Sequence, residues 1–159
     1  MPGFACPKLG WFDALWRERA ALRPLPRRSD FTVRMLAPFL FNMTIVERIV
    51  TPQGRRYRYR LFGSGLAERM GDCTGRFVEE VLPAEKVQPW CEAYDQVMAA
   101  QEPVHFLAPF GLPGLDHLMV ETVLAPVAAE DDTPLGFLGV AYFFARVPDV
   151  KLRQQVHAL

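Results

Sequence analysis

The stretch GRRYRYRLFGSG, residues 54–65, sets four arginines among aromatics and ends on a glycine-flanked serine. Side chains on a strand point alternately to its two faces, so Arg56, Arg58 and Arg60 share one side while Tyr57, Tyr59 and Leu61 share the other. Upstream, FNMTIVERIV is rich in β-branched residues and TPQG carries turn chemistry. Residues 41–62 are therefore expected to form a hairpin whose second strand runs into a turn at Gly63-Ser64-Gly65.

Three functions compete for this stretch. A nucleic-acid surface is weakened by the charge balance, since 18 Lys and Arg face 18 Asp and Glu and leave no net field to draw a polyanion. A phosphate loop needs Gly-x-x-x-x-Gly-Lys-Ser/Thr, or Gly-x-Gly-x-x-Gly after a strand, and neither is present. Nor is Ser64 set in Gly-x-Ser-x-Gly, so it is a poor nucleophile. A structural or solvated arginine face is the leading reading, with a protein-partner surface second; on an edge strand, charge also discourages unwanted pairing.

Around the hairpin the texture is helical, then extended. LGWFDALWRERAAL at 9–22 has helical spacing through Phe12, Leu15, Trp16 and Arg19, with Trp11 and Leu22 one column over. Pro24 and Pro26 break it, and Ser29-Asp30 can cap a short helix through Phe31, Met35 and Leu36. After Gly65 come two short helical segments and a longer one at 84–101, whose inner stripe is Val87, Trp90, Tyr94, Val97 and Met98. Strands are expected at 103–110, 115–125 and 135–145, and the last, apolar on both faces, belongs in mid-sheet. The sum is an α+β fold: a five-stranded antiparallel sheet with helices on one face and an N-terminal helical cap. The expected divisions are a lead-in at 1–40, a core at 41–145 and a tail at 146–159, within one domain overall. The tail is read as a short helix through Val150, Gln154 and His157 or as disorder.

With 159 residues, half of them apolar and 23% charged, the chain has a globular composition and can bury a real core. Cys6, Cys73 and Cys91 form neither a Cys-x-x-Cys pair nor a disulfide rhythm, which points to a reducing cytoplasm and away from zinc. The longest apolar run, Phe137 to Ala145, is far short of a membrane span, and no signal peptide is evident.

Four short motifs in order resemble the PAS (Per-Arnt-Sim) domains, and among them a family of small bacterial proteins common in alphaproteobacteria. These are Trp11 and Trp16 on the first helix, Pro26-Arg27-Arg28-Ser29-Asp30, Tyr59-Arg60-Leu61-Phe62-Gly63, and Thr74-Gly75-Arg76, with Glu121 to Pro126 fitting the penultimate strand. The resemblance covers roughly residues 9–144. It implies a stand-alone sensory or interaction module, with the ligand left open by the fold. Flavin is disfavoured because light-oxygen-voltage domains carry Asn-Cys-Arg-Phe after Gly-Arg, where this chain has Phe77-Val78. Haem is disfavoured because the long helix has no histidine. No cofactor and no metal is expected, and His105 and His117 are read as satisfied strand histidines.

The bulky residues Met43, Tyr59, Trp90, Tyr94, Met98, Met119 and Phe137 form either a plain core or the lining of a cavity for a small, mostly apolar molecule. Trp11, Phe12, Leu15 and Trp16 can dock on the open face of the sheet or pair with a second copy. No nucleophile with a base, paired carboxylates or His-Glu-x-x-His is evident, so no enzyme is expected. With no kinase, cyclase or helix-turn-helix segment in these residues, output is expected to pass through contact with a signalling protein. The rival to the sensor is a pure interaction or dimerisation module with a filled core and no ligand.

Overall fold

The computed structural model describes residues 3–145 and the backbone of residues 157 and 158. Helix α1 (Pro7–Ala20) opens the chain and α2 (Val33–Leu36) follows, with single 3-10 turns at Arg28–Asp30 and Leu40–Asn42. The hairpin β1 (Met43–Thr51) and β2 (Gly54–Phe62) leads into α3 (Ser64–Met70), α4 (Val78–Val81) and the long α5 (Ala84–Ala100). Strands β3 (Val104–Pro109), β4 (Leu118–Ala128) and β5 (Pro134–Ala145) complete the sheet.

The sheet is antiparallel in the order β2-β1-β5-β4-β3, so the strand apolar on both faces does lie in the middle. A two-residue strand, β6 (His157–Ala158), adds to the outer edge of β3, opposite Val104 and His105. The rest of the expected tail helix lies outside the described residues.

Two apolar clusters sandwich the sheet. Helices α3 to α5 cover one face over Val46, Tyr57, Tyr59, Phe62, Leu124 and Phe137. Helix α1 covers the other with Leu9, Phe12 and Trp16, against Ile45, Val123, Ala125, Leu138 and Val140. The Trp16 indole Nε1–H donates to the Pro126 carbonyl at 2.8 Å, which fixes the helix to β4. Because α1 lies on the sheet, the face left open in the sequence reading is occupied by this chain's own helix. Phe12 and Trp16 are buried, Leu15 is half-buried, and Trp11 alone of the four is exposed, at 62%.

The opening stretch departs from strict alternation at one place. Ile45 pairs with Leu61 but Val46 pairs with Tyr59, so Arg60 is the extra residue of a β-bulge. The bulge turns Phe62 to the helical face beside Tyr57 and Tyr59, and Leu61 to the α1 face; the expectation that Leu61 sits with the tyrosines is corrected. Gly63 then starts α3 with its backbone against the Leu40–Asn42 turn. A Cβ on Gly63 would stand 2.5 Å from the Leu40 carbonyl oxygen, and one on Gly65 would stand 2.4 Å from the Phe41 ring. Close approach, not phosphate binding, accounts for both glycines.

Candidate functional site

The arginines of β2 all lie beside carboxylates, with Glu47 shared by two of them. Arg58 bonds Glu47 at 2.8 Å with Arg60 at 3.7 Å from the same carboxylate, and Arg56 pairs with Glu79 while its guanidinium lies 3.5 Å above the Phe77 ring. The free edge of β2 is also partly covered, since the Tyr59 N–H donates to Arg76 and the Gly75 N–H to Tyr59. A charged face so paired offers little to a polyanion.

Arg55, on the tyrosine side, reaches inward instead. Its Nε donates to both oxygens of Asp95 on α5, at 2.9 and 2.7 Å, and the Tyr57 hydroxyl donates to the same carboxylate at 2.6 Å. The Arg55 hydrogen bond, followed by that of Tyr57, holds the Asp95 carboxyl below its ordinary value against the opposing effect of burial. This clamp fixes the middle of α5 over β2, and Tyr57 is fully buried beneath it.

Next to the clamp, α5 and the sheet do not close fully. An inner cavity of about 110 Å³ lies among Thr44, Tyr59, Phe62, Leu66, Met70, Trp90, Tyr94, Phe110, Val120, Thr122, Leu124, Ala141 and Phe143. It adjoins a cleft of about 350 Å³ that shares Trp90, Tyr94, Phe110, Val120, Thr122 and Leu124 and reaches the surface past Lys86, Pro89, Ala93, Phe106, Ala108, Pro109 and Gly111. A dry cavity of about 150 Å³ admits benzene, so the inner chamber is near the size of a single small ring. Ala141, a small residue of the central strand, leaves the floor low beside Phe143 on the same face, whereas the space over Gly139 is taken by Thr44 and Leu124.

The polar content of the chamber is small and pointed. The Tyr59 and Tyr94 hydroxyls face each other at 3.4 Å, long for an O–H···O bond, and leave hydrogen-bonding capacity for a third group. Burial pushes the Tyr59 phenol up to about 12 and raises that of Tyr94 well above its ordinary value, so both remain neutral donors at ordinary pH. The Thr122 hydroxyl is spent on the Val140 carbonyl at 2.9 Å.

Of the seven expected lining residues, Tyr59, Trp90 and Tyr94 line the chamber. Phe137 and Met98 belong to the same core but lie behind it, with Phe137 packed on Tyr94 at 4.7 Å between ring centroids. Met43 and Met119 are corrected: Met43 packs in the α1 cluster, and alternation along β4 puts Met119 on that same face with Glu121 and Val123. Phe62, Leu66, Phe110, Ala141 and Phe143 were not singled out; the bulge hid Phe62, and the rest are ordinary core types in sequence.

A second polar cluster sits on the α1 face. Glu121 is only 1% exposed and accepts three hydrogen bonds, from the Ala5 N–H at 2.9 Å, the Cys6 N–H at 2.7 Å and His105 Nε2 at 2.8 Å. Phe4 packs on the His105 ring at 4.7 Å. His105 is thus a satisfied strand histidine, whereas His117 is exposed in the turn before β4 and not on a strand. Cys73 and Cys91 are both buried, and burial raises both thiols.

A long helix clamped over an antiparallel sheet around a small apolar chamber, with a second helix sealing the back, defines a class of α+β domains with the sheet covered on both faces. The chain belongs to the PAS domain family, whose match extends over residues 7–142. PAS domains commonly have sensory or regulatory roles. No curated protein matches the chain. Among the described residues, no helix is long and apolar enough to cross a membrane.

Proposed function

We infer that this PAS domain is a non-catalytic sensory or regulatory module of bacterial signalling that binds a small, mostly apolar molecule between α5 and the sheet. The observation that carries this reading is the chamber of about 110 Å³ opening into a cleft of about 350 Å³, both walled largely by apolar and aromatic side chains. Residues 1–40 act as the fixed cap of the sheet and residues 41–145 as the sensing core. Filling the chamber shifts α5 against the sheet to the extent that the ligand binds the two arrangements differently. Pro89 inside α5 favours such movement at one end, because it lacks the N–H that would bond the Glu85 carbonyl. The output passes to a signalling protein or a second copy through surface residues such as Trp11.

A thermal-shift screen of small aromatic and aliphatic compounds tests this. A ligand at a hundred times its dissociation constant adds about 2.7 kcal/mol, or roughly 5–10 °C for a chain of this length. Hits should lose their effect in Ala141→Leu, which puts three more carbons into the chamber. A screen without hits, or hits indifferent to Ala141→Leu, would favour the pure interaction module.

A further inference from the structure

We propose that the molecule held between α5 and the sheet is an amphipathic monocarboxylate, a small aryl- or alkyl-carboxylic acid with its apolar body in the chamber and its carboxylate at Lys86. This rests on the ligand-binding reading above and adds the charge and orientation of the occupant.

Among the described residues, Lys86 is the only charged one lining either space. It stands on the same helical stripe as Trp90 and Ala93, so its side chain and the aromatic wall face one opening. Its Nζ lies 3.8 Å from where a Cβ of Gly111 would be, which puts the ammonium at the rim formed by the segment after β3. Among the described residues Lys86 has no acidic partner within 4.0 Å, in contrast to Arg55, Arg56, Arg58 and Arg60, each paired with a carboxylate. Arg69 is engaged over the ring of Phe143, a residue of the chamber wall, at 5.0 Å.

One unpaired ammonium at the mouth of an apolar space complements one negative charge at the end of an apolar body. A compact ammonium is a point charge without the fork of arginine, and among the described residues no second cation lines the cleft, so a monoanion matches better than a phosphate dianion. At the far end, the Tyr59 and Tyr94 hydroxyls can take up one further oxygen of the ligand. The body between is limited to one ring or a short chain by the size of the chamber.

The test compares three probes of one shape, 4-phenylbutyrate, butylbenzene and 4-phenylbutylamine, by calorimetric titration or Trp90 fluorescence. The proteins are wild type, Lys86→Met and Lys86→Glu. Lys86 is half-buried and without an ion pair, and methionine keeps its apolar stem, so folding is checked simply by an unchanged unfolding temperature. Expected is binding of phenylbutyrate about tenfold tighter to wild type than to Lys86→Met, weaker still to Lys86→Glu, with butylbenzene unaffected and the amine preferred only by Lys86→Glu. Equal phenylbutyrate affinity in wild type and Lys86→Met, or butylbenzene binding without phenylbutyrate binding, overturns the carboxylate assignment and leaves the ligand-binding reading standing. Failure of all three probes to bind any of the proteins overturns both.

Discussion

Glu121→Gln probes how α1 and the segment before it are fixed to the sheet. The carboxylate accepts two backbone N–H groups and His105 Nε2 with two oxygens, and is almost wholly cut off from water. A glutamine has the same shape but only one acceptor oxygen. Keeping that oxygen toward Ala5 and His105 turns an NH₂ group onto the Cys6 N–H, donor against donor; flipping the amide loses the other two bonds instead. A hydrogen bond to a charged group contributes about 1.5–3 kcal/mol, and a buried donor left unsatisfied costs about 1–3 kcal/mol. The substitution should therefore cost about 2–4 kcal/mol, a fall of roughly 5–15 °C in unfolding temperature for a chain of this length. Calorimetry reads the loss, and hydrogen exchange locates it, with the exchange of the Ala5 and Cys6 amides gaining most while that of β1 and β2 speeds up only in proportion to the loss of global stability. An unfolding temperature within about 2 °C of wild type, with no local change in exchange, would refute the argument that this carboxylate anchors the N-terminal segment.

Two other perturbations follow from the α5 side. The Asp95 carboxyl is held low by Arg55 and Tyr57, so its folded value lies below its unfolded one; the stability it supplies is present above about pH 4 and is lost as pH falls through the folded value. The stability difference between wild type and Asp95→Asn, measured by urea unfolding, should thus be full at pH 7 and shrink below pH 4; a difference independent of pH would contradict the clamp. Ala141→Leu fills the floor of the chamber, and with about 0.8 kcal/mol for each buried methylene, less the strain of fitting it, it should leave stability unchanged or raise it by up to about 2 kcal/mol. A loss above about 2 kcal/mol in thermal or chemical unfolding would mean that the chamber is already full.

The sequence was most legible where period and burial coincide. The two-sided apolar pattern of LGFLGVAYFFA could belong only to a strand covered on both faces, and β5 lies between β1 and β4. The long helix was equally readable, since Tyr94, Val97 and Met98 recur at helical spacing and are buried. The hairpin was legible but its bulge was not: Arg60 is one charged residue among several, and nothing local marks it as the extra one that exchanges the faces of Leu61 and Phe62. Met43 and Met119 were misplaced for a related reason, because a methionine suits either side of a sheet covered on both. The anchor at Glu121 had a signal, a lone acid inside LMVETVLAPVA, whose partners lie 16 residues away at His105 and more than 100 away at Ala5 and Cys6. The shape of a cavity left over Ala141 beside Tyr94 depends on several elements meeting, and residue types alone do not contain it.

Native mass spectrometry of the freshly purified protein, wild type beside Ala141→Leu, shows whether the chamber between α5 and the sheet holds a molecule. Expected is a bound mass of one small organic molecule on wild type, lost on mild activation and absent from the filled variant. A wild-type spectrum showing only the bare chain, together with no mass shift on soaking with small aromatic or aliphatic acids, would contradict it.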